Sequence, residues 1–281
     1  LLKDLAFYQF MKKDYAAAME TAKPFALRKD ADEQAFQILA MAYKSLEEYK
    51  ECDRMYKLAL KKYPKSGVLH SEYGELLWRE KLFNDAIRLW EKGIQQEPNY
   101  PGNYYHAARH YFSTNEKLWG LLYGEIFINF ESFTERTIEI KGLLMEGYKK
   151  LYIDKDLQKN QNEKNEFTKA CLGIYQQLSD LAAGGIFPES ITALRTRFIL
   201  DWSARYAERY PYRLFDHHRQ LLRLGLFNAY NQWIFGAAAN LQNYEAWVKA
   251  HPEEQAEFQK LQQNRVFKLP DGQYYQSIAN K

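Results

Sequence analysis

Cysteine is nearly absent from these 281 residues, with only Cys52 and Cys171 present. Two are too few for a disulfide scaffold and stand too far apart for a metal knuckle, although a single bridge between them is left open. An excess of charge is missing too. Lys and Arg number 39 against 36 Asp and Glu, with 19 basic and 18 acidic residues over 1–130 and 20 against 18 thereafter. Without a basic field, no nucleic-acid role is expected. No apolar run reaches the roughly 20 residues that span a bilayer. The two most apolar stretches, 118–130 and 221–239, are interrupted by Glu125 and Asn129 and by Arg223 and Gln232, and they read as buried core helices. No segment sustains the alternation of a strand, so the fold is expected to be all-α. Catalytic signatures are missing as well. Gly184-Gly185 lacks a following Lys-Ser/Thr, and there is no G-x-S-x-G elbow or dinucleotide fingerprint. Residue 1 is Leu in a stretch that reads as helix. The chain reads as soluble, but export and compartment stay open.

What is abundant is aromatic: 22 Tyr, 17 Phe and 6 Trp, or 16% of the chain. So many rings must be buried or stacked, which excludes a disordered chain. Many fall into columns with a fixed step of 34 residues. Tyr15, Tyr49 and Phe83 form one; Ala18, Cys52 and Ala86 another; Tyr56 and Trp90, Ala59 and Gly93, and Pro64 and Pro98 keep the same step. A fixed period of this length is the mark of a stacked repeat architecture.

At this period the chain resembles the tetratricopeptide (TPR) family over residues 1 to about 131. The unit from Glu33 supplies Phe36, Leu39, Ala40 and Tyr43 on its first helix and Cys52, Tyr56, Ala59 and Pro64 on its second. The unit from Gly67 supplies Tyr73, Gly74, Ala86, Trp90, Gly93 and Pro98, and the first unit is partial, with Leu5, Ala6, Tyr15 and Ala18. A fourth unit from Pro101 is degenerate, with Gly120 and Gly124 at its second-helix positions. The resemblance implies a TPR-type α-α superhelix, three clear repeats plus one degenerate, followed by a helical C-terminal domain over 132–281.

In that second half helices are expected over 135–152, with Ile138, Leu143, Leu144, Tyr148 and Leu151 inward. Others are expected over 166–181, 188–210, 214–224, 227–241, 244–250 and 252–265, with a solvated loop at 154–164 and an extended tail at 267–281. Pro188 suits a first helical turn. The stretches 123–132, 214–222 and 227–247 resemble the C-terminal region of a group of bacterial TPR proteins, which implies no catalytic residue.

Three groups carry potential chemistry. Asp216-His217-His218 is the triplet that names the DHH phosphoesterases, but that family holds its metals with aspartates on strands, and none is expected here. His106 and His110 share a helical face without the glutamate of a zinc-protease helix. Both groups read as packed or surface residues, and no metal or cofactor is expected. A buried thiol such as Cys52 behaves as a small hydrophobe.

The TPR resemblance implies a concave groove that binds a protein or peptide. Carried over residue by residue, its lining is Phe10, Gln37, Met41, Lys44, Glu75, Trp78, Arg79, Tyr105, Arg109 and Phe112, with Lys3, Phe7, Gln34 and Ser71 beside them. Cations among rings, against the single Glu75, suit an extended peptide bearing an acidic group. The carboxylate-clamp positions of the chaperone-binding members read Lys3, Phe7, Ile38, Val68 and Glu72, so chaperone-tail binding of that type is not expected. The function expected is a non-catalytic scaffold or adaptor, not an enzyme. The alternative is an enzyme or small-molecule binder with a pocket between the array and the C-terminal domain, around Trp202, His217 and Trp233. The aromatic tail, 267–281, offers a further expectation: it can occupy the groove in cis.

Overall fold

The structure is a computed structural model that describes residues 2–153, 155–159, 161–162 and 164–276. Every regular element among them is helical, as the missing strand pattern requires. The chain divides into two compact units, residues 1–103 and 104–281. The repeat register runs on to about 131, whereas close packing groups most of the fourth helix pair with the later residues.

Unit 1 holds three helix pairs: α1 (Leu2–Met11) with α2 (Tyr15–Ala26), α3 (Glu33–Ser45) with α4 (Tyr49–Lys62), and α5 (Gly67–Arg79) with α6 (Phe83–Gln96). The second helices start 34 residues apart, at Tyr15, Tyr49 and Phe83. Asp14, Asp32 and Ser66 each cap a helix by accepting a backbone N–H three residues on. Small residues let the paired helices close up. The Cys52 thiol lies 3.8 Å from the Ala40 carbonyl, and a Cβ on Gly74 would stand 2.2 Å from Trp90 Nε1. Trp90 Nε1 donates to the Ser71 carbonyl at 3.1 Å.

The turn inside each pair repeats the same stop signal. Lys13, Glu47 and Lys81 all lie in the left-handed region, with φ of 63°, 60° and 63°. In each case the next residue's N–H reaches back five residues, Asp14 to Gln9, Glu48 to Tyr43 and Leu82 to Leu77, which is the Schellman closure. Glycine fits this conformation best, since a side chain there costs about 1 kcal/mol. Glu47→Gly is therefore expected to stabilise unit 1 by up to about 1 kcal/mol, read as a higher urea midpoint.

Unit 2 opens with α7 (Pro101–Phe112), whose first turn falls at the boundary, then α8 (Lys117–Phe130) and α9 (Glu135–Leu151). After the expected loop come α10 (Glu166–Gln177), α11 (Ser179–Ala182), α12 (Pro188–Arg205), α13 (Arg213–Arg223) and α14 (Phe227–Asn231). A π-turn at Gln232–Gly236 leads into α15 (Ala237–Ala239), α16 (Leu241–Ala250) and α17 (Pro252–Asn264). Pro188 takes the first helical turn as expected. Leu144, Tyr148 and Leu151 are buried as expected and Leu143 is half-buried, but Ile138 is 73% exposed and Ile140 is buried in its place.

The rings of unit 2 form a continuous cluster in which Phe167 meets Trp119, Trp202, Tyr212 and Tyr275, and Phe198 meets Tyr175, Trp202 and Phe215. The described part of the tail belongs to this cluster. Phe267 packs against Phe130 and His217, Tyr275 stacks on Phe167 at 4.6 Å, and Gln276 donates to Tyr111 Oη at 2.9 Å. Residues up to 276 are thus held within unit 2 rather than serving as a free segment for a groove; residues 277–281 lie outside the described residues. Cys52 and Cys171 are both free thiols, buried in their own units, so no bridge forms.

Candidate functional site

Two places gather polar chemistry, one in each unit. In unit 1 the first helices α3 and α5 lie with their expected lining side by side. Gln37 donates to Glu72 Oε1 at 3.2 Å and Lys44 donates to Glu75 Oε2 at 3.4 Å, so the two helix faces form one strip. Met41 and Trp78 are half-buried, and Arg79 and Glu75 are exposed. The Trp78 ring leans on Phe83 at 4.5 Å and Trp90 at 5.6 Å, and the Arg79 guanidinium lies 5.0 Å over the Tyr49 ring. Phe10, on α1, is half-buried against Tyr15 at 5.2 Å.

The strip carries a second carboxylate that the expected lining left out. Glu72 accepts from Tyr56 Oη at 3.0 Å as well as from Gln37, and burial raises its carboxyl above the usual range. Lys44 therefore lies beside both Glu72 and Glu75, while Arg79 covers the Tyr49 ring, and the strip is mixed in charge.

The three lining residues expected beyond position 103 serve unit 2. Phe112 is only 7% exposed, and its ring fills the notch left by Gly120 and Gly147, where an added Cβ would come within 2.9 and 2.6 Å of it. Tyr105 is buried and donates to Glu139 Oε2 at 2.6 Å; burial first and that bond second push its hydroxyl up to about 12. Arg109 pairs with the same carboxylate at 2.9 Å. These side chains are engaged by their own unit.

In unit 2 the second place is a buried polar network. Glu125, on the apolar helix α8, takes the Arg195 guanidinium from α12, His218 Nε2 from α13 at 2.7 Å and Tyr230 Oη from α14 at 2.8 Å. Arg195 also donates to Asn231, and Asn129 donates to Tyr230 Oη at 2.7 Å. Arg265 donates to Asn129 Oδ1 at 2.6 Å and to the His217 ring, its nitrogen lying nearer Nε2 than Nδ1. Burial would raise the Glu125 carboxyl, but Arg195 and then His218 outweigh it and hold it down to about 2. A charged carboxylate assigns the His218 proton to Nε2, so the 3.1 Å approach of Arg195 to that nitrogen is a contact between two donors. Burial lowers both histidines, and Arg265 lowers His217 further, so both rings are neutral. A guanidinium only donates, so His217 must accept from Arg265.

The triplet Asp216-His217-His218 is thus split: His217 and His218 are core, while Asp216 pairs with Arg219 at 2.8 Å. Among the described residues no group of three or more His, Cys, Asp and Glu side chains is placed to hold a metal ion. His106 and His110 contact the neighbouring rings Tyr105 and Tyr111. Trp202 is 1% exposed inside the ring cluster, His217 lies in the network, and Trp233 is half-buried with Lys141 Nζ 3.9 Å from its ring. Unit 2 has open pockets of about 390 and 460 Å³, one between α9 and the π-turn and one against α10, and none of these three residues lines either.

No helix among the described residues is long and apolar enough to cross a membrane. No protein-family model matches the chain, and neither does any curated protein.

Proposed function

We propose that the chain is a non-catalytic scaffold of the TPR type, in which unit 1 offers the strip on α3 and α5 to an extended peptide of a partner protein. The observation that carries this reading is the stitching of the two helices by Gln37–Glu72 and Lys44–Glu75, which leaves the half-buried faces of Met41 and Trp78 and the exposed Arg79 on one surface. The 34-residue recurrence of helix starts and of left-handed turns at Lys13, Glu47 and Lys81 supports the TPR assignment. Aromatic and Arg side chains are the usual energetic anchors of protein interfaces. With Glu72 and Glu75 beside Lys44 and the Arg79 guanidinium over the Tyr49 ring, the peptide expected is mixed in charge, with an apolar residue for Trp78.

The test is selection of peptides from a random library on the full chain, followed by affinity measurement. Arg79→Glu, at an exposed site, and Trp78→Ala are each expected to weaken the selected peptides about tenfold, or roughly 1.4 kcal/mol. Peptides that bind both variants as well as the unmodified chain would place recognition elsewhere.

A further inference from the structure

The pocket of about 390 Å³ in unit 2 is bounded by α9, the start of α12, the π-turn and α16. That volume suits a small molecule. Much of the wall is apolar: Met145 on α9, Ile186 and Phe187 ahead of α12, and Tyr244 on α16. Met145 is buried, whereas Phe187 is 45% exposed. The π-turn closes its side of the pocket without a side chain. A Cβ on Gly236 would come within 2.4 Å of the Tyr244 ring and 2.7 Å of Gln232 Oε1, so backbone, ring and amide meet there directly.

The polar part of the wall lacks a donor. Gln232 is only 3% exposed, and its Nε2 donates to Glu189 Oε1 at 3.1 Å. A carboxylate only accepts, so this bond fixes the amide with its own oxygen turned from Glu189. Among the described residues no group donates to Gln232 Oε1, and no cation pairs with Glu189. A buried amide oxygen left in this state costs stability until something donates to it. The cation of the lining is already matched, since Lys149 pairs with Glu146 at 2.8 Å. Asn240 spends its Oδ1 on the Asn243 N–H, as the cap of α16. The amino end of α12 offsets roughly half of the Glu189 charge at most. What remains is a carboxylate and an amide oxygen beside apolar and aromatic side chains.

We infer that this pocket binds a small organic cation, a primary ammonium on an apolar or aromatic body. The ammonium donates to Glu189 Oε2 and Gln232 Oε1, and the body lies against Met145, Phe187 and the Tyr244 ring. An anion of the same shape would meet the same two acceptors and is rejected. The site lies wholly within unit 2 and does not depend on the α3–α5 strip.

Phenethylamine and 3-phenylpropionate, a similar ring and chain ending in opposite charges, are the probes. Each is titrated into the full chain while the Gln232 side-chain amide and the Gly236 backbone N–H are followed by NMR. Phenethylamine is expected to shift both signals with a Kd of about 1 mM or below, and 3-phenylpropionate to leave them in place at the same concentrations. Glu189→Gln keeps an oxygen for Gln232 and should weaken phenethylamine about tenfold. Ala239→Trp fills the pocket from its rim and should abolish the shifts. Both positions are exposed, so each variant should melt within about 2 °C of the unmodified chain. Trp78→Ala should leave the titration unchanged, which separates this pocket from the peptide strip. The inference is overturned if phenethylamine shifts neither signal, if 3-phenylpropionate binds as tightly, or if Glu189→Gln leaves the Kd unchanged. The comparison of the two probes needs no variant.

Discussion

Arg195→Met is expected to destabilise unit 2 by about 3–5 kcal/mol, a large part of the 5–15 kcal/mol that holds a typical domain together. Arg195 is 1% exposed and Glu125 is 4% exposed. Methionine fills similar volume, so the loss comes from charge rather than from a cavity. Without the guanidinium, the Glu125 carboxylate keeps only the neutral donors His218 and Tyr230, and Asn231 Oδ1 loses its partner. The carboxyl held down to about 2 would move upward and take a proton at the cost of a His218 or Tyr230 bond. The double variant Glu125→Gln with Arg195→Met removes both charges and leaves an amide oxygen for His218 and Tyr230, so it should recover more than half of the loss. Urea unfolding, read alongside amide exchange in α12 and α13, measures both. A single variant within about 1 kcal/mol of the unmodified protein would mean that the pair is not carrying the core.

This network was only faintly legible in the sequence. Glu125 and Asn129 interrupt an otherwise apolar stretch, and a carboxylate there must be paired if the helix is buried. The partners were not legible, because Arg195 is 70 residues away and Tyr230 is 105 away, and no local period connects them. The helices of unit 1 were legible for the opposite reason. A capping Asp or Ser starts α2, α3 and α5, a Schellman turn ends α1, α3 and α5, and the starts of the second helices recur at a fixed step. The second half followed helical periodicity well enough to place α9, α12, α13 and α17 within a few residues, except that the tail and the exact face of α9 depended on tertiary partners.

The lining shows where a repeat register stops being informative. Positions 37, 41, 44, 75, 78 and 79 fall on helices whose neighbours are also regular, and Gln37 and Lys44 reach across from α3 to Glu72 and Glu75 on α5. Positions 105 and 112 obey the same register, but their surroundings do not. Gly120 and Gly147 open a notch that Phe112 fills, and Glu139 draws in Tyr105. Glycines at the second-helix positions signalled the departure, although what would fill the space they left depended on α9, outside the repeat.

Acid should unfold unit 2 early, as the pH falls below the ordinary histidine range. His217 and His218 are 1% and 3% exposed and neutral, faced by Arg195 from α12, Arg213 on α13, Arg265 beyond α17 and Glu125 on α8. For both, burial sets the folded pKa below the unfolded value of about 6.5. Above that pH neither state binds a proton, and the histidines do not affect stability. Below it the unfolded chain takes up protons that the folded core resists, so stability falls with falling pH, by at most about 2.7 kcal/mol per pH unit while both rings stay neutral. Over the two units down to about pH 4.5 that upper limit is of the order of a whole domain's stability. Glu125 adds a second window in the same direction. Its folded pKa of about 2 lies below the unfolded value, so its contribution is complete above about 4.5 and is lost as pH falls towards 2. His218→Gln keeps a donor for Glu125 but cannot titrate, so it should flatten the slope below pH 6.5 and move the midpoint down. Circular dichroism across pH 7 to 3 reads both quantities. A transition below pH 4, unchanged by His218→Gln, would show that these rings gain their protons without leaving the core.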